Sequence, residues 1–236
     1  LPGERVFLEA ERSRELSLFL DGRKVVPYTE GTVSTPYVFE ITEQMRKGKV
    51  EICLCCDNRY PSWPYEAIVY SSAATDETQT NWNGILGYLR LRYEKENFIS
   101  AIRIYPYGKE ADAVLEVDCG VPYEGSIYLS CRAFAHEVEK KVSLPAGRHQ
   151  VRFRGISFAE NVRRWDEGEG VLYTLSARGE NLEEKSVSFG VRTFCSKEGR
   201  LALNDRVIFL RSEANCCVFP ETGHMPMKVE DWREIL

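Results

Sequence analysis

An all-β chain built of antiparallel sandwiches is what this sequence predicts, and three observations carry that expectation. Apolar residues recur at every second position in most segments, as in "ELSLFL", "AVLEVDC" and "GSIYLS". Turn-forming pairs such as Asp21-Gly22 and Asn204-Asp205 sit between such runs. Helical periodicity surfaces only at "ITEQMRKGK" and in the closing "KVEDWREIL". Period-two alternation buries one face of a strand, and short strands separated by turn signals assemble into sandwiches.

Taken in order, "ELSLFLDGRKVV" reads as a hairpin, because Asp-Gly accepts the positive φ of a tight primed turn. "ITEQMRKGK" reads as one helical turn or a wide loop. "KVEICLCCDN" places Val50, Ile52, Leu54 and Cys56 on one face. "FISAIRIYPYG" carries Ile99, Ile102 and Ile104 into a turn-rich stretch. "AVLEVDCG" and "GSIYLSCRAF", separated by "VPYE", are expected to pair as neighbouring antiparallel strands. A turn is expected at Pro145-Ala146-Gly147, then strands at "VLYTLSARG" and "KSVSFGVRTF", then a hairpin in "RLALNDRVIFLR". Val229, Trp232 and Leu236 recur at helical spacing and predict a closing helix. With no low-complexity linker to mark them, domain boundaries are expected near Arg92–Tyr93 and Cys195–Gly199, dividing the chain into 1–92, 93–196 and 197–236.

Composition narrows the function classes. With 43% hydrophobic and 28% charged residues over 236 positions, the chain reads as globular. A net charge of -5, with no basic run, gives no general attraction for nucleic acid or anionic membranes. No apolar run is long enough to span a bilayer. The start is strand-like, without a basic-then-apolar leader or an initiating Met, and reads as cut from something longer. Eight cysteines include no Cys-x-x-Cys spacing, and His136, His149 and His224 are scattered. Zinc sites need clustered ligands, so no metal or cofactor is expected and the cysteines read as buried, reduced thiols, favouring a cytoplasmic location. A homo-oligomeric state stays open.

Four segments, in order, carry a resemblance to glycoside hydrolase family 2, the β-galactosidase and β-glucuronidase type. "LFLDGRKVV", "GTVSTPYVFEIT" and "GKVEICLCCDNR" resemble the family's amino-terminal jelly-roll. "TNWNGILGYLRL" is similar to the Asn-aromatic-x-Gly-Ile segment that closes it. "RRWDEGEGVLYTL" with "FGVRTF" looks like the signature of the immunoglobulin-like second domain, with Gly170 where the family has Pro. "LALNDRVIFLR" and "FPETGHMPMKVEDWREIL" are similar to the hairpin and first helix that lead into a (β/α)₈ barrel. The resemblance implies a partial jelly-roll sandwich, then an immunoglobulin-like sandwich, then the beginning of the barrel.

It also implies function. Retaining glycosidases use two carboxyl groups flanking the scissile bond. In the family both are glutamates late in a barrel of about 250 residues, so they are expected beyond residue 236. The acids at hand, Glu137, Glu139, Glu183 and Glu184, read as charged surface. The carbohydrate would be met from two places. In the loop "ATDETQTNWNG", Asp76, Gln79 and Asn81 offer hydrogen bonds and Trp82 an aromatic face; the competing reading is a polar loop capped by a core tryptophan. After Leu210, where the family reads Arg-Gly-x-Asn-x-His, this chain has Arg211-Ser212-Glu213-Ala214-Asn215-Cys216. Arg211 matches and Glu213 and Asn215 are candidate replacements, while Ser212, Ala214 and Cys216 depart, which leaves the sugar open. Trp63, in "YPSWPYEA", reads either as an exposed platform for a sugar ring or as part of a loop packed by its own prolines. Trp165, Leu172, Tyr173 and Leu175 are expected in the core, Gly190 at a close strand contact, and Arg192 in an ion pair.

Overall fold

The computed structural model describes residues 3–32, 35–59, 61, 64, 66, 83–212, 221–222, 226 and 228–235. The chain divides into two compact units, one of residues 5–93 with 212–236 and one of residues 94–211 with the short stretch 2–4. The fold is all-β with two short helices among the described residues.

The first unit is a pair of three-stranded sheets. One has the order β4-β1-β6, from β1 (Glu4–Ala10), β4 (Tyr37–Glu40) and β6 (Leu89–Lys95). The other has the order β3-β2-β5, from β2 (Glu15–Leu20), β3 (Arg23–Val25) and β5 (Ile52–Asp57). Val6, Leu8 and Phe39 from the first sheet meet Leu16, Leu18 and Leu20 from the second in one core. Leu18 is fully buried, and a leucine so placed stabilises by about 1.5–3 kcal/mol. Asp21 and Gly22 have φ of 48° and 75°, the primed turn expected between β2 and β3. The helical turn α1 (Thr42–Arg46) forms where expected.

Alternation in β5 turns Leu54 and Cys56 toward the core. Cys53 and Cys55 are consequently exposed, which corrects the expectation of buried thiols. Both lie on the outer side of a strand whose only described neighbour is β2. Cys119, by contrast, is buried in the second unit.

The second unit is an immunoglobulin-like sandwich made of β7 (Asn97–Tyr107), β8 (Glu110–Cys119), β9 (Tyr123–Ser130), β10 (Val138–Leu144), β11 (Gly147–Ser157), β12 (Tyr173–Gly179) and β13 (Leu182–Phe189). Their order is β10-β9-β12-β13-β7-β8-β11. The β13–β7 link is a single parallel pair, Glu183 opposite Phe98. The ribbon folds there into two faces, with Leu115, Val117 and Val151 of one packed on Ile127, Leu129 and Leu175 of the other. A bulge between Ile99 and Ala101 explains how Ile99 and Ile102, three apart, both face inward.

β8 and β9 are not neighbours, contrary to expectation: β8 lies between β7 and β11, and β9 between β10 and β12. The connecting residues carry the chain from one face to the other. Gly120 donates its N–H to the Glu96 carbonyl at 2.9 Å, and a Cβ at Gly120 would stand 2.8 Å from that same oxygen. Only glycine allows that approach, which leads the chain out of the sheet. Pro145-Ala146-Gly147 likewise links unpaired strands, β10 and β11, rather than closing a hairpin.

Tyr173 opens β12 and reaches back to the preceding connection. Its hydroxyl accepts a 2.8 Å bond from the Arg163 N–H and donates to the Arg163 carbonyl at 3.3 Å. This is the tyrosine corner of immunoglobulin-type sandwiches. Tyr173 and Leu175 are buried as expected, while Leu172 is 52% exposed. The inward alternation starts at Tyr173, so the residue before it faces solvent.

A last sheet is formed by β14 (Phe194–Lys197), β15 (Arg200–Leu203) and β16 (Arg206–Val207). Asn204 and Asp205, with φ of 50° and 68°, make its primed turn. α2 (Val229–Ile235) is the closing helix. No helix among the described residues is long and apolar enough to cross a membrane.

Candidate functional site

The loop carrying Asp76, Gln79, Asn81 and Trp82 lies outside the described residues, as do Glu213 and Trp63. Of the six predicted substrate-binding residues the structure places Arg211, which is exposed just beyond the last sheet. It also describes the two stems from which the loop departs and to which it returns.

At the departing stem, β5 ends in Asp57. Arg59 donates its backbone N–H to Asp57 Oδ1 at 2.8 Å and its guanidinium to Oδ2 at 2.6 Å. These bonds hold the Asp57 carboxyl down to about 2, so this turn stays charged at any physiological pH. At the returning stem, Asn83-Gly84 turns with Gly84 at φ 94°. Ile85 then bridges Ser13, Leu86 and Gly87 donate to the carbonyls of Arg12 and Glu11 at 3.1 Å each, and Glu11 donates to Tyr88 at 2.9 Å. A Cβ on Gly87 would fall 2.9 Å from the Glu11 carbonyl oxygen, so the strand-to-strand approach demands glycine.

Beside this stem lies a network that sequence reasoning missed. β1 is buried on both faces: Val6, Leu8 and Ala10 point into the core, and Arg5, Phe7 and Glu9 are covered as well. Arg5 makes a bidentate pair with Glu40 at 3.0 and 2.7 Å. Glu9 receives Arg92 at 2.6 Å and Arg90 at 2.8 Å. The Arg92 guanidinium also lies 4.5 Å from the centre of the Phe7 ring, and Arg90 lies 4.1 Å from that of Tyr88. Burial pushes the Glu9 carboxyl up, but the hydrogen bonds from Arg92 and Arg90 outweigh it and hold the group below its ordinary value. The signal was present as Arg90, Arg92 and Glu94 at every second place in "LRLRYEK" and as Arg5 and Glu9 on one side of "ERVFLEA". Nothing in either segment alone says that the two stripes meet.

In the second unit, the Trp165 signature forms a second clamp. Trp165 donates its N–H to the Val191 carbonyl at 3.0 Å. A Cβ at Gly190 would lie 2.7 Å from Trp165 Cβ, so glycine is required where the ring edge packs. Arg192, expected in an ion pair, instead stacks 4.5 Å from the Trp165 ring centre, an attraction of cation to aromatic face. Asn204, expected to serve the turn alone, also ties these parts together. Its amide donates to the Trp165 carbonyl at 2.9 Å and accepts from the Thr193 N–H at 3.1 Å.

The acids Glu137, Glu139, Glu183 and Glu184 are all exposed. Glu137 receives Arg178 at 2.8 Å, and Glu139 receives the hydroxyls of Ser126 and Tyr128. Among the described residues no cluster of three or more His, Cys, Asp or Glu side chains is arranged to hold a metal.

No protein-family model matches the chain, and no curated protein matches it. Solved structures do. A family 2 β-galacturonidase from Eisenbergiella tayi, bound to galacturonate, superposes with a TM-score of 0.64 at 15% identity, over 86% of this chain and 36% of that one. The fold is shared with family 2 glycoside hydrolases. Bacteroides uniformis β-glucuronidase 2, covalently bound to a cyclophellitol-6-carboxylate aziridine, superposes at 0.67 with 15% identity, over 89% and 27%. Parabacteroides merdae β-glucuronidase does so at 0.64 with 17% identity, over 88% and 29%. The chain therefore spans about a quarter to a third of the length of these glycoside hydrolases.

Proposed function

We propose that this chain is a non-catalytic part of a glycoside hydrolase acting on β-glycosides, β-galactosidase-like, whose two sandwiches support and shape an active site built on a further domain. The observation that carries the reading is the extent of the fold likeness. It runs through nearly all of this chain yet covers only 24–36% of each solved glycosidase. The last sheet supports the same reading. Leu201, Val207 and Leu210 are exposed around one open recess there beside Phe209, which is 87% exposed. A contiguous apolar patch of this kind marks a surface that another folded element covers.

In this reading the division into 1–92, 93–196 and 197–236 separates a jelly-roll, an immunoglobulin-like sandwich and the beginning of a barrel. The barrel supplies the paired carboxylates of a retaining mechanism, one protonating the leaving oxygen and one attacking the anomeric carbon. Asn81 and Gln79, with Asp76 and Trp82, approach the sugar from their loop, and Arg211 and Glu213 from the segment after the hairpin.

The test is direct. The 236-residue chain, freed of host enzymes, should not turn over chromogenic β-galactosides, β-glucuronides or β-mannosides, while the longer gene product should hydrolyse one of them. Asn81→Ala in that longer product should lower kcat/KM about tenfold, the loss of a hydrogen bond of about 1.4 kcal/mol, with little change in Tm. Turnover by the 236-residue chain itself would overturn the accessory role. A longer product inert on all three classes would overturn the hydrolase reading.

A further inference from the structure

The outer face of the β7-β8-β11 sheet holds an open groove of about 580 Å³. Its geometry follows from strand register. Arg103 of β7 and Arg152 of β11 both stand opposite Val114 of β8, and Tyr105 stands opposite Asp112. Val114 thus floors the groove, Tyr105 and Tyr107 form one wall, and Arg152 and Arg154 form the other. The two tyrosines are 52% and 43% exposed.

The carboxylates of the groove are already engaged. Asp112 Oδ1 accepts the Tyr107 hydroxyl at 2.9 Å and the Gly155 N–H at 3.0 Å. Glu116 receives Arg103 at 2.6 Å. Among the described residues the Arg152 guanidinium donates only to the neutral Gln150 amide oxygen, at 3.1 Å, and no carboxylate lies within ion-pair distance of Arg152 or Arg154. One wall therefore presents aromatic surface and the other presents guanidinium groups that carry charge without a counter-charge.

We propose that this groove binds an acidic saccharide, a chain segment bearing uronate carboxylates. A pyranose has an apolar C–H face that fits against a tyrosine ring and a hydroxyl-bearing edge that hydrogen-bonds. The planar fork of arginine matches a carboxylate with two parallel bonds. The volume lies in the ordinary range for small-ligand sites. The site stands on the second unit alone and holds whether or not the hydrolase reading does.

The experiment is calorimetric titration of the 236-residue chain with β-1,4-linked trimannuronate and with β-1,4-mannotriose, which differ only in the carboxylates. Trimannuronate should bind, more weakly as salt rises, and mannotriose at least about tenfold less tightly. Tyr105→Ala should weaken trimannuronate binding about tenfold. The double variant Arg152→Gln/Arg154→Gln should abolish the preference for the acid. All three positions are exposed, so an unchanged Tm verifies that these variants are folded. Absence of trimannuronate binding, equal affinity for the two sugars, or binding indifferent to the arginine variant would each overturn the proposal. So would sedimentation showing a dimer of this chain that Tyr105→Ala dissolves, since the groove would then be an interface between copies.

Discussion

Arg92 donates a 2.6 Å hydrogen bond to Glu9 while its guanidinium lies over the Phe7 ring. One side chain thus neutralises a buried carboxylate and covers a buried aromatic, and both functions sit at the stem that holds the candidate loop. Replacing it separates them. Arg92→Met keeps much of the cover and removes the charge-assisted bond, which typically contributes about 1.5–3 kcal/mol. Urea denaturation should show a loss of about 2 kcal/mol, moderated by Arg90, which still reaches Glu9.

The same carboxylate gives a pH signature. The folded-state value of Glu9 is depressed below its ordinary one. Its stabilisation is therefore complete above the unfolded value of about 4.3 and is lost as pH falls through the folded value. Glu9→Gln should be less stable than the native chain at pH 7, and the gap should narrow steadily below about pH 4.3. Parallel thermal melts from pH 7 to pH 3 read this out; a gap constant with pH would contradict the network.

Asn204 separates backbone conformation from side-chain bonding. Asn204→Gly accepts φ of 50° without strain but loses the bonds to Trp165 and Thr193, costing about 1–2 kcal/mol. Asn204→Ala should cost about 1 kcal/mol more, because a Cβ is unfavourable in the left-handed region. Chemical denaturation of the pair, followed by far-UV circular dichroism, tests the ranking.

Tyr173→Phe keeps the buried ring and deletes only its hydroxyl. The Arg163 N–H, which is only partly buried, then loses its partner, and losing such a hydrogen bond costs about 0.5–1.5 kcal/mol. Equilibrium unfolding should register that loss with an unchanged m-value, since the folded area is the same.

Cysteine reactivity should follow exposure. Cys53 and Cys55 are exposed, whereas burial pushes the Cys131 thiol up, away from the reactive thiolate. Brief alkylation of the native chain, read by peptide mass mapping, should label Cys53 and Cys55 first. Cys119 and Cys131 should label only after denaturation.

Much of this molecule was legible residue by residue. The primed turns at Asp21-Gly22 and Asn204-Asp205, the alternation in β2 and β8, and the helical spacing of Val229 and Trp232 are local properties. They depend on which dihedral angles a residue tolerates and on which of its neighbours are apolar. Which strand pairs with which is a different kind of information. "AVLEVDCG" and "GSIYLSCRAF" are adjacent in sequence and each alternates well, yet they belong to opposite faces, because Gly120 is held against Glu96 and leads the chain across. Tyr173 and Leu172 are consecutive, and only the docked strand decides that the first is buried and the second exposed. Arg192 carries a charge in any conformation; that it meets the ring of Trp165 rather than a carboxylate follows from bringing together positions 27 residues apart. Glu9 and Arg92 are separated by more than 80 residues, and their pairing exists only once β1 and β6 share a sheet. Local preference is written in single side chains, while partners are chosen by the packing that satisfies all of them at once.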